Sequence, residues 1–276
     1  MADQPALDDP MPLDEVDFFD PAINDCPYHA YRTLRDDAPV WFDERLKAFV
    51  VTRHEDVLAV LRDTERFNNA QRRGSRPEVQ ALYEEKGWVP ARTLAGRDDP
   101  NHKEMRQLFD HAFRPKKLRA LEPQIERLSH ELIDDFVEAG ECDWVRQFAV
   151  PLPLIVIGMQ MGADPHDIWK IKAWTDAWVQ RLGLMQTSEQ VIWSTEMEIE
   201  AQHYFQPIFE RLRAEPDDSL LSDLVNTPIP EWGRCLTDEE LHAEMMADTF
   251  VGGSETTTNA LSGGVRLLIE HPDQWD

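Results

Sequence analysis

The longest helical pattern in the sequence runs from Asp238 to about His271, and it limits the fold more than any other feature. Thr237 and Glu240, three residues apart, have the pattern of a capping box, which starts a helix at Asp238. Pro272 stops the pattern, because proline cannot continue a helix. At ~1.5 Å per residue, this helix is on the order of 50 Å long and crosses a whole domain. The sequence therefore predicts a fold built around one central helix, over about residues 237–271.

The rest of the sequence predicts a mainly α-helical protein with a small early β-hairpin. Apolar residues recur at helical spacing over residues 28–37, 55–62 and 118–136, and residues 151–161 are apolar on every side, as in a buried helix. Two runs of β-forming residues, 39–42 and 48–52, flank a charged tip, which is typical of a hairpin. Glycines and prolines interrupt residues 68–100, so we expect an irregular segment there that is functional or mobile.

Charge and cysteine content narrow the class of protein. The net charge of −25 argues against nucleic acid or an anionic membrane as the main partner. No stretch has a signal-peptide pattern or the roughly 18 apolar residues of a membrane span, so we expect a cytoplasmic protein without a membrane partner. The wide spacing of Cys26, Cys142 and Cys235 argues against a disulfide framework or a zinc site. Residues 1–20 are acidic and proline-containing, and are predicted to form a flexible arm.

The middle of the central helix breaks the rules of helix propensity. Gly252 and Gly253 cost roughly 1 kcal/mol each in a helix, and three β-branched threonines follow them. Gly252 and Thr256 are four residues apart and share a face, so a flat cofactor or small ligand could approach bare backbone beside a hydroxyl. Glu255 is offset by about 100° and points elsewhere. The alternative is close helix–helix packing at the glycines, and the residues alone leave both interpretations open.

His102 and Arg106 form a second candidate site at the start of another helix. They are four residues apart and follow the turn at Asp99 and Pro100. Two donors on one helical face can hold a pair of carboxylate or phosphate groups. A solvated polar face is the alternative, and it is the commoner explanation for an isolated pair of this kind.

These segments together resemble the cytochrome P450 family of bacterial, soluble haem-thiolate monooxygenases. Residues 252–257, Gly-Gly-Ser-Glu-Thr-Thr, are similar to the central-helix signature of the family, Ala/Gly-Gly-x-Asp/Glu-Thr-Thr. Residues 99–106 and 112–115 resemble its C-helix segment. The hairpin and helix over 38–62 and the apolar helix near 150–157 resemble its early hairpin, B helix and E helix. The resemblance covers residues 20–276 in order.

The resemblance implies the cytochrome P450 fold, incomplete at the C-terminus, with residues 21–276 as the N-terminal part of one haem-thiolate monooxygenase domain. It implies haem b (iron protoporphyrin IX) as cofactor. It also implies three groups of site residues: catalytic Thr256 and Glu255, cofactor-binding His102, Arg106, Gly252 and Gly253, and substrate-binding Val251 and Asp248. A carboxylate at 248 is unusual over a hydrophobic pocket, so Asp248 either binds a polar substrate group or points away.

The implied activity is insertion of one oxygen atom from dioxygen into a small organic substrate. Electrons would come from NAD(P)H through a ferredoxin or a flavoprotein reductase. A basic cluster, which we define as Arg114, Lys116, Lys117 and Arg119, would favour an acidic electron donor. An ordinary solvated turn is the alternative explanation of this cluster.

Two signatures of the family are missing from the sequence. There is no Glu-x-x-Arg helix after residue 271 and no loop carrying the axial cysteine, and none of the three cysteines has the required neighbours. We therefore expect no metal ligand in this chain, and we expect a fragment that is inactive alone. The alternative is a non-catalytic helical binding or interaction module derived from the same family.

Overall fold

The computed structural model describes residues 9–69, 76–182 and 186–275. The chain divides into two compact units, Met1–Asn69 and Ala70–Asp276, and most of its ordered elements are helices. Within the described residues, no helix combines the length and the apolar character that a membrane span needs.

The first unit contains the predicted hairpin and three helices. β1 (Val40–Asp43) pairs antiparallel with β2 (Ala48–Val51), and the register places Val40 opposite Val51. The helices are α1 (Pro21–Asp25), α2 (Tyr28–Asp37) and α3 (His54–Arg62). A small core of Val16, Ala30 and Leu34 holds this unit together. The hairpin and the two longer helices confirm the prediction from the sequence.

The segment before α1 is packed in its described part. The backbone N–H of Met11 donates to Thr33 Oγ1 at 2.9 Å, and that hydroxyl donates back to the Met11 carbonyl at 2.6 Å. Val16 is 6% exposed, and Asp17 pairs with Arg45 at 2.7 Å. Residues 9–20 therefore differ from the predicted flexible arm, because their few apolar side chains pack against α2. Residues 1–8 of that predicted arm lie outside the described residues.

The second unit is a helical assembly around the central helix. A large core joins its helices, and its largest fully buried side chains include Trp174, Phe205, Phe209 and Phe250. Its first seven helices are α4 (Pro77–Lys86), α5 (Asn101–Ala112), α6 (Pro115–Val137), α7 (Pro151–Gln160), α8 (Ile168–Gln180), α9 (Ser188–Ala214) and α10 (Leu220–Asn226).

The segment predicted to be irregular, residues 68–100, contains more regular structure than its composition indicates. It includes the ten-residue helix α4 and the short 3-10 turn Leu94–Gly96. Pro77 begins α4 at a position where a missing N–H costs nothing, and Gly87 follows its last residue. Part of this segment, residues 70–75, lies outside the described residues. We call residues 76–97 the cover segment.

The central helix begins and ends where the sequence predicts. Glu240 N–H donates to Thr237 Oγ1 at 3.3 Å, and Thr237 N–H donates to Glu240 Oε2 at 2.9 Å, which is the capping box. The helix consists of α11 (Asp238–Glu244), a π-helical segment (Met245–Val251) and α12 (Gly252–Glu270). The sequence did not predict the π-helical segment. Such segments are frequent at functional sites, and this one ends directly before Gly252.

Candidate functional site

Gly252 and Thr256 lie on an open face of the central helix. A Cβ atom added at Gly252 would meet no atom of the described residues within 4 Å. The exposed Thr256 donates its Oγ1 hydrogen to the Gly252 carbonyl at 3.0 Å. The bare backbone and the hydroxyl are therefore neighbours, in the arrangement that their spacing predicts.

Gly253 has a different environment from Gly252. A Cβ atom at Gly253 would lie 3.1 Å from Ile157 Cγ1, on α7. Contacts this short are rare, so Gly253 allows α7 to pack closely against the central helix. Cofactor binding at Gly253 stays a prediction from the resemblance. The structure shows close helix packing at Gly253 and an open face at Gly252.

Glu255 is directed towards α8. Its Oε1 lies 3.2 Å from Lys172 Nζ, and the Glu255 side chain is 23% exposed. Lys172 also pairs with Asp176 one turn further along α8. Burial lowers the pKa of the Lys172 ammonium, but the two carboxylates outweigh burial and hold that pKa above its ordinary value. The Lys172 side of this ion pair is therefore charged at neutral pH.

Asp248 binds the cover segment. Its Oδ2 accepts a hydrogen bond from the Ala95 N–H at 2.9 Å, and Glu244, one helical turn earlier, accepts one from the Leu94 N–H at 2.6 Å. The Asp248 carboxylate is thus directed at the backbone of the cover segment. Val251, the other residue predicted to contact substrate, is half-buried directly before Gly252.

Glu244 is a site residue that the sequence analysis missed. It is 1% exposed, and burial raises the pKa of its carboxyl to about 9, with a further contribution from the neighbouring Asp248. A signal was present in the sequence, because Glu244 and Asp248 are two carboxyls at helical spacing within the largely apolar run that ends at Phe250.

His102 and Arg106 lie one turn apart on α5, as predicted. The buried side chains Met105, Leu108 and Phe109 fix α5 in the core. His102 Nδ1 lies 3.5 Å from Asp99 Oδ1, and Arg106 Nε donates to Asp110 Oδ1 at 3.0 Å. The two side chains are 41% and 58% exposed, so these pairs are weak and an incoming anion could displace them.

The predicted site residues therefore fall into two groups in the described structure. One group lies on the central helix, and the pair His102 and Arg106 lies on α5. The Leu94–Gly96 turn connects the groups, since it is bonded to Glu244 and Asp248 and leads into α5 through residues 97–100.

The cover segment is also fixed along α9. Tyr83 OH donates to the buried Glu198 at 2.6 Å and accepts from Arg181 at 2.8 Å. Burial, together with Glu198, raises the pKa of the Tyr83 hydroxyl above its usual range. Further along, the buried Gln202 side chain accepts from the Trp88 N–H at 2.9 Å and donates to the Trp88 carbonyl at 2.8 Å. A Cβ atom at Gly87 would overlap Gln202 Oε1, so this approach requires glycine.

His242 lies between the cover segment and α9. Its Nε2–H donates to Gln206 Oε1 at 2.9 Å, and its ring lies 4.6 Å from the Trp88 ring and 4.9 Å from the Phe209 ring. Burial lowers the pKa of the imidazole to about 4. His242 is thus a neutral, structural side chain at physiological pH.

Half of the basic cluster is compensated by an acidic neighbour. Arg114 and Lys117 bind Asp223 Oδ2 at 2.8 and 2.6 Å, and despite some burial they hold the pKa of that carboxyl below its ordinary value. Lys116 and Arg119 are exposed. The positive surface for a partner is therefore smaller than the sequence indicates.

The three cysteines are free thiols. Cys142 is exposed, and Cys235 precedes the start of the central helix. Within the described ranges, no group of three or more His, Cys, Asp or Glu side chains is arranged to hold a metal ion.

Comparisons with known proteins find extensive similarity. No protein-family profile matches the chain. The steroid C26-monooxygenase of Mycobacterium tuberculosis is 34% identical over 247 residues, which are 90% of this chain and 58% of that protein. The polyketide biosynthesis cytochrome P450 PksS of Bacillus subtilis is 29% identical over 254 residues, or 89% of this chain and 60% of that protein.

Solved structures give the same result. Cytochrome P450 CREJ, in complex with (4-ethylphenyl) dihydrogen phosphate, is 29% identical with a TM-score of 0.78, over 90% of this chain and 62% of that one. P450BioI, in complex with an acyl carrier protein bearing hexadec-9Z-enoic acid, is 26% identical with a TM-score of 0.78, over 92% and 64%. The chain thus spans between 58% and 64% of the length of these relatives.

Proposed function

Because the chain belongs to the cytochrome P450 family, we propose that it forms the oxygen-binding side of a haem-dependent monooxygenase. The reaction is insertion of one oxygen atom from dioxygen into a small organic substrate. The observation that carries the proposal is the open face at Gly252, where bare backbone lies beside the Thr256 hydroxyl. A flat macrocycle can approach a helix closely only where no side chain projects.

The residues of this chain fit haem on two sides. Gly252 provides the flat surface, and His102 and Arg106 are the donors for the two propionates, since their present partners are exposed and weak. None of Cys26, Cys142 and Cys235 is assigned as the iron ligand. When bound, haem supplies the iron chemistry that activates dioxygen.

The role of the protein at this face is to hold protons and exclude water. The Thr256 hydroxyl is both donor and acceptor, and its bond to the Gly252 carbonyl fixes the position of Oγ1 on the open face. Glu255, which contacts Lys172, is the carboxyl group next to Thr256 in the path that would carry a proton towards it. Val251 provides apolar surface for the substrate, whereas Asp248 is engaged with the Ala95 N–H.

Substrate and electron donor are assigned only by class. The relatives are named for or solved with chemically different molecules, including a steroid-modifying enzyme and a phenyl phosphate complex. We therefore assign a small organic substrate. The donor is a ferredoxin or flavoprotein that receives electrons from NAD(P)H, and the exposed Lys116 and Arg119 offer it a positive surface.

A haemin titration tests the proposal. The chain is titrated with haemin and the Soret absorbance is followed for the wild type, Gly252→Leu and Gly263→Leu. Gly263 is the matched control, because a Cβ atom there also meets open space and eleven residues make about three turns, on nearly the same face ~16 Å away.

We expect Gly252→Leu to lower haemin affinity about tenfold or more and Gly263→Leu to leave it unchanged. Equal affinities for the two variants would contradict the placement of haem at Gly252. Absence of any Soret shift in the wild type would contradict haem binding by this chain and favour the non-catalytic binding module.

A further inference from the structure

Two successive backbone amides of the cover segment bind two carboxyls that are one turn apart on the central helix. The Leu94 N–H donates to Glu244 Oε1 at 2.6 Å, and the Ala95 N–H donates to Asp248 Oδ2 at 2.9 Å. Glu244 and Asp248 are four residues apart on the central helix, and each accepts a hydrogen bond from one of the two successive amides. This contact fixes the Leu94–Gly96 turn on the buried half of the helix.

The two carboxyls do not have equal surroundings. Glu244 is 1% exposed, and the side chain of Asp248 lies within hydrogen-bonding reach of its carboxyl. The charged groups that face it are Asp248 on its own helix and Arg97 of the cover segment. Arg97 donates to Glu240 at 3.3 Å, so its charge is shared with another carboxylate. A buried carboxyl with a like charge beside it and no ion pair of its own favours the neutral form.

We propose that Glu244 and Asp248 are positioning residues that act as one pair, which holds the Leu94–Gly96 turn on the central helix through one carboxyl–amide bond each. The pair thereby sets where the cover segment runs into α5, the helix of His102 and Arg106. The inference rests on the proposed function only in its claim that this turn borders the haem and substrate site.

The pair has a consequence for stability as a function of pH. The pKa of Glu244 is about 9 in the folded chain and 4.5 for the ordinary carboxyl. The pKa of Glu244 is higher in the folded chain than in the unfolded chain. The contribution of Glu244 to the free energy of unfolding is therefore complete below about pH 4.5 and is lost progressively as the pH rises towards 9. Glutamine has the shape of a protonated glutamate and needs no proton, so Glu244→Gln removes this loss.

The experiment compares Glu244→Gln, Glu244→Ala and Asp248→Ala with the wild type of the full chain. Glu239→Gln is the matched control, an exposed acid on the same helix. Two quantities are measured: the melting temperature from pH 5 to pH 8.5, and hydrogen–deuterium exchange of the peptide that contains Leu94 and Ala95.

We expect Glu244→Gln to keep the exchange protection of the turn and to melt higher than the wild type, by a difference that grows with pH. Glu244→Ala and Asp248→Ala should speed exchange at the turn about tenfold or more, through loss of an amide–carboxyl bond. Glu239→Gln should match the wild type in both measurements.

The proposal is overturned if Glu244→Gln melts below the wild type at every pH and speeds exchange at the turn as much as Glu244→Ala does. That result would mean that Glu244 is ionised in the folded chain. It is also overturned if Asp248→Ala leaves exchange at the turn unchanged. Neither result alters the haemin titration, which compares variants at Gly252 and Gly263. A failed titration likewise leaves the exchange data intact, so the two proposals fail separately.

Discussion

The two halves of the central helix have opposite environments. Residues 238–251 are almost entirely buried, and even their polar side chains Glu240, His242 and Glu244 are below 9% exposure. In α12 only Ser254 and Thr258 are buried, and Leu267 and Ile269 are 56% and 66% exposed. One continuous helix therefore contributes to the core over its first half and provides surface over its second half. The candidate site, Gly252 to Thr256, lies where the helix passes from one environment to the other.

In the buried half, three polar side chains bond to groups outside the helix. Glu240 binds Arg234, His242 binds Gln206, and Glu244 binds the Leu94 N–H. In α12 some bonds are local, as between Arg266 and Glu270 or Thr256 and Gly252, whereas Glu255 and Thr258 bond to other elements. The first half is thus tied to the surrounding elements, while the residues around Gly252 are left accessible.

The largest expected effect comes from truncating one apolar side chain in each half of the central helix and comparing the losses of stability. Phe250→Ala removes a ring that is fully buried and lies 5.3 Å from the Phe205 ring. It should lower the free energy of unfolding by about 3–5 kcal/mol. Ile269→Ala, at an exposed position, should change it by no more than about 0.5 kcal/mol. Urea denaturation of both variants measures this, and equal losses would show that the two halves are equally packed.

The second effect concerns the pH dependence of the buried half. The pKa of His242 is lowered to about 4 from an ordinary 6.5, so its stabilising contribution is complete above pH 6.5 and is lost as the pH falls towards 4. The whole change corresponds to about 3 kcal/mol. Unfolding free energies of the wild type and His242→Gln at pH 7.5 and 4.5 test this. If the wild type loses no more stability than the variant on acidification, His242 is not held neutral by burial.

The smallest expected effect comes from substituting the two adjacent glycines at the boundary between the halves of the central helix. Gly253→Ala forces a Cβ atom against Ile157 and should cost about 1–3 kcal/mol. Gly252→Ala adds a Cβ atom in open space and should stabilise the helix by about 0.5–1 kcal/mol, because alanine favours a helix more than glycine does. Thermal unfolding of both variants gives the signs, and a loss of stability in Gly252→Ala would show that this face is closed.

The sequence predicted features whose causes are local in the chain. The capping box at Thr237, the stop before Pro272, the hairpin and the spacing of Gly252 and Thr256 all depend on neighbouring residues, and the structure has them in place. Membership of the family was likewise readable from short motifs in order.

Features that depend on distant partners were not predictable. The difference between Gly252 and Gly253 is decided by Ile157 on α7, and the direction of Asp248 is decided by the Ala95 N–H. The burial that raises the pKa of the Glu244 carboxyl depends on the cover segment packed beside it, which is a contact between distant parts of the chain. The order found in residues 9–20 and in α4 was hidden by acidic, proline-rich or glycine-rich composition.

The contact between Gly87 and Gln202 has a consequence for redesign of the cover segment. The Gln202 amide replaces the partner strand that the Trp88 backbone lacks, because it donates to the Trp88 carbonyl and accepts from the Trp88 N–H at once. A side chain at 87 would occupy the space of that amide. A combinatorial library must therefore vary positions 87 and 202 jointly, since changing either residue alone displaces the loop between α4 and the Leu94–Gly96 turn.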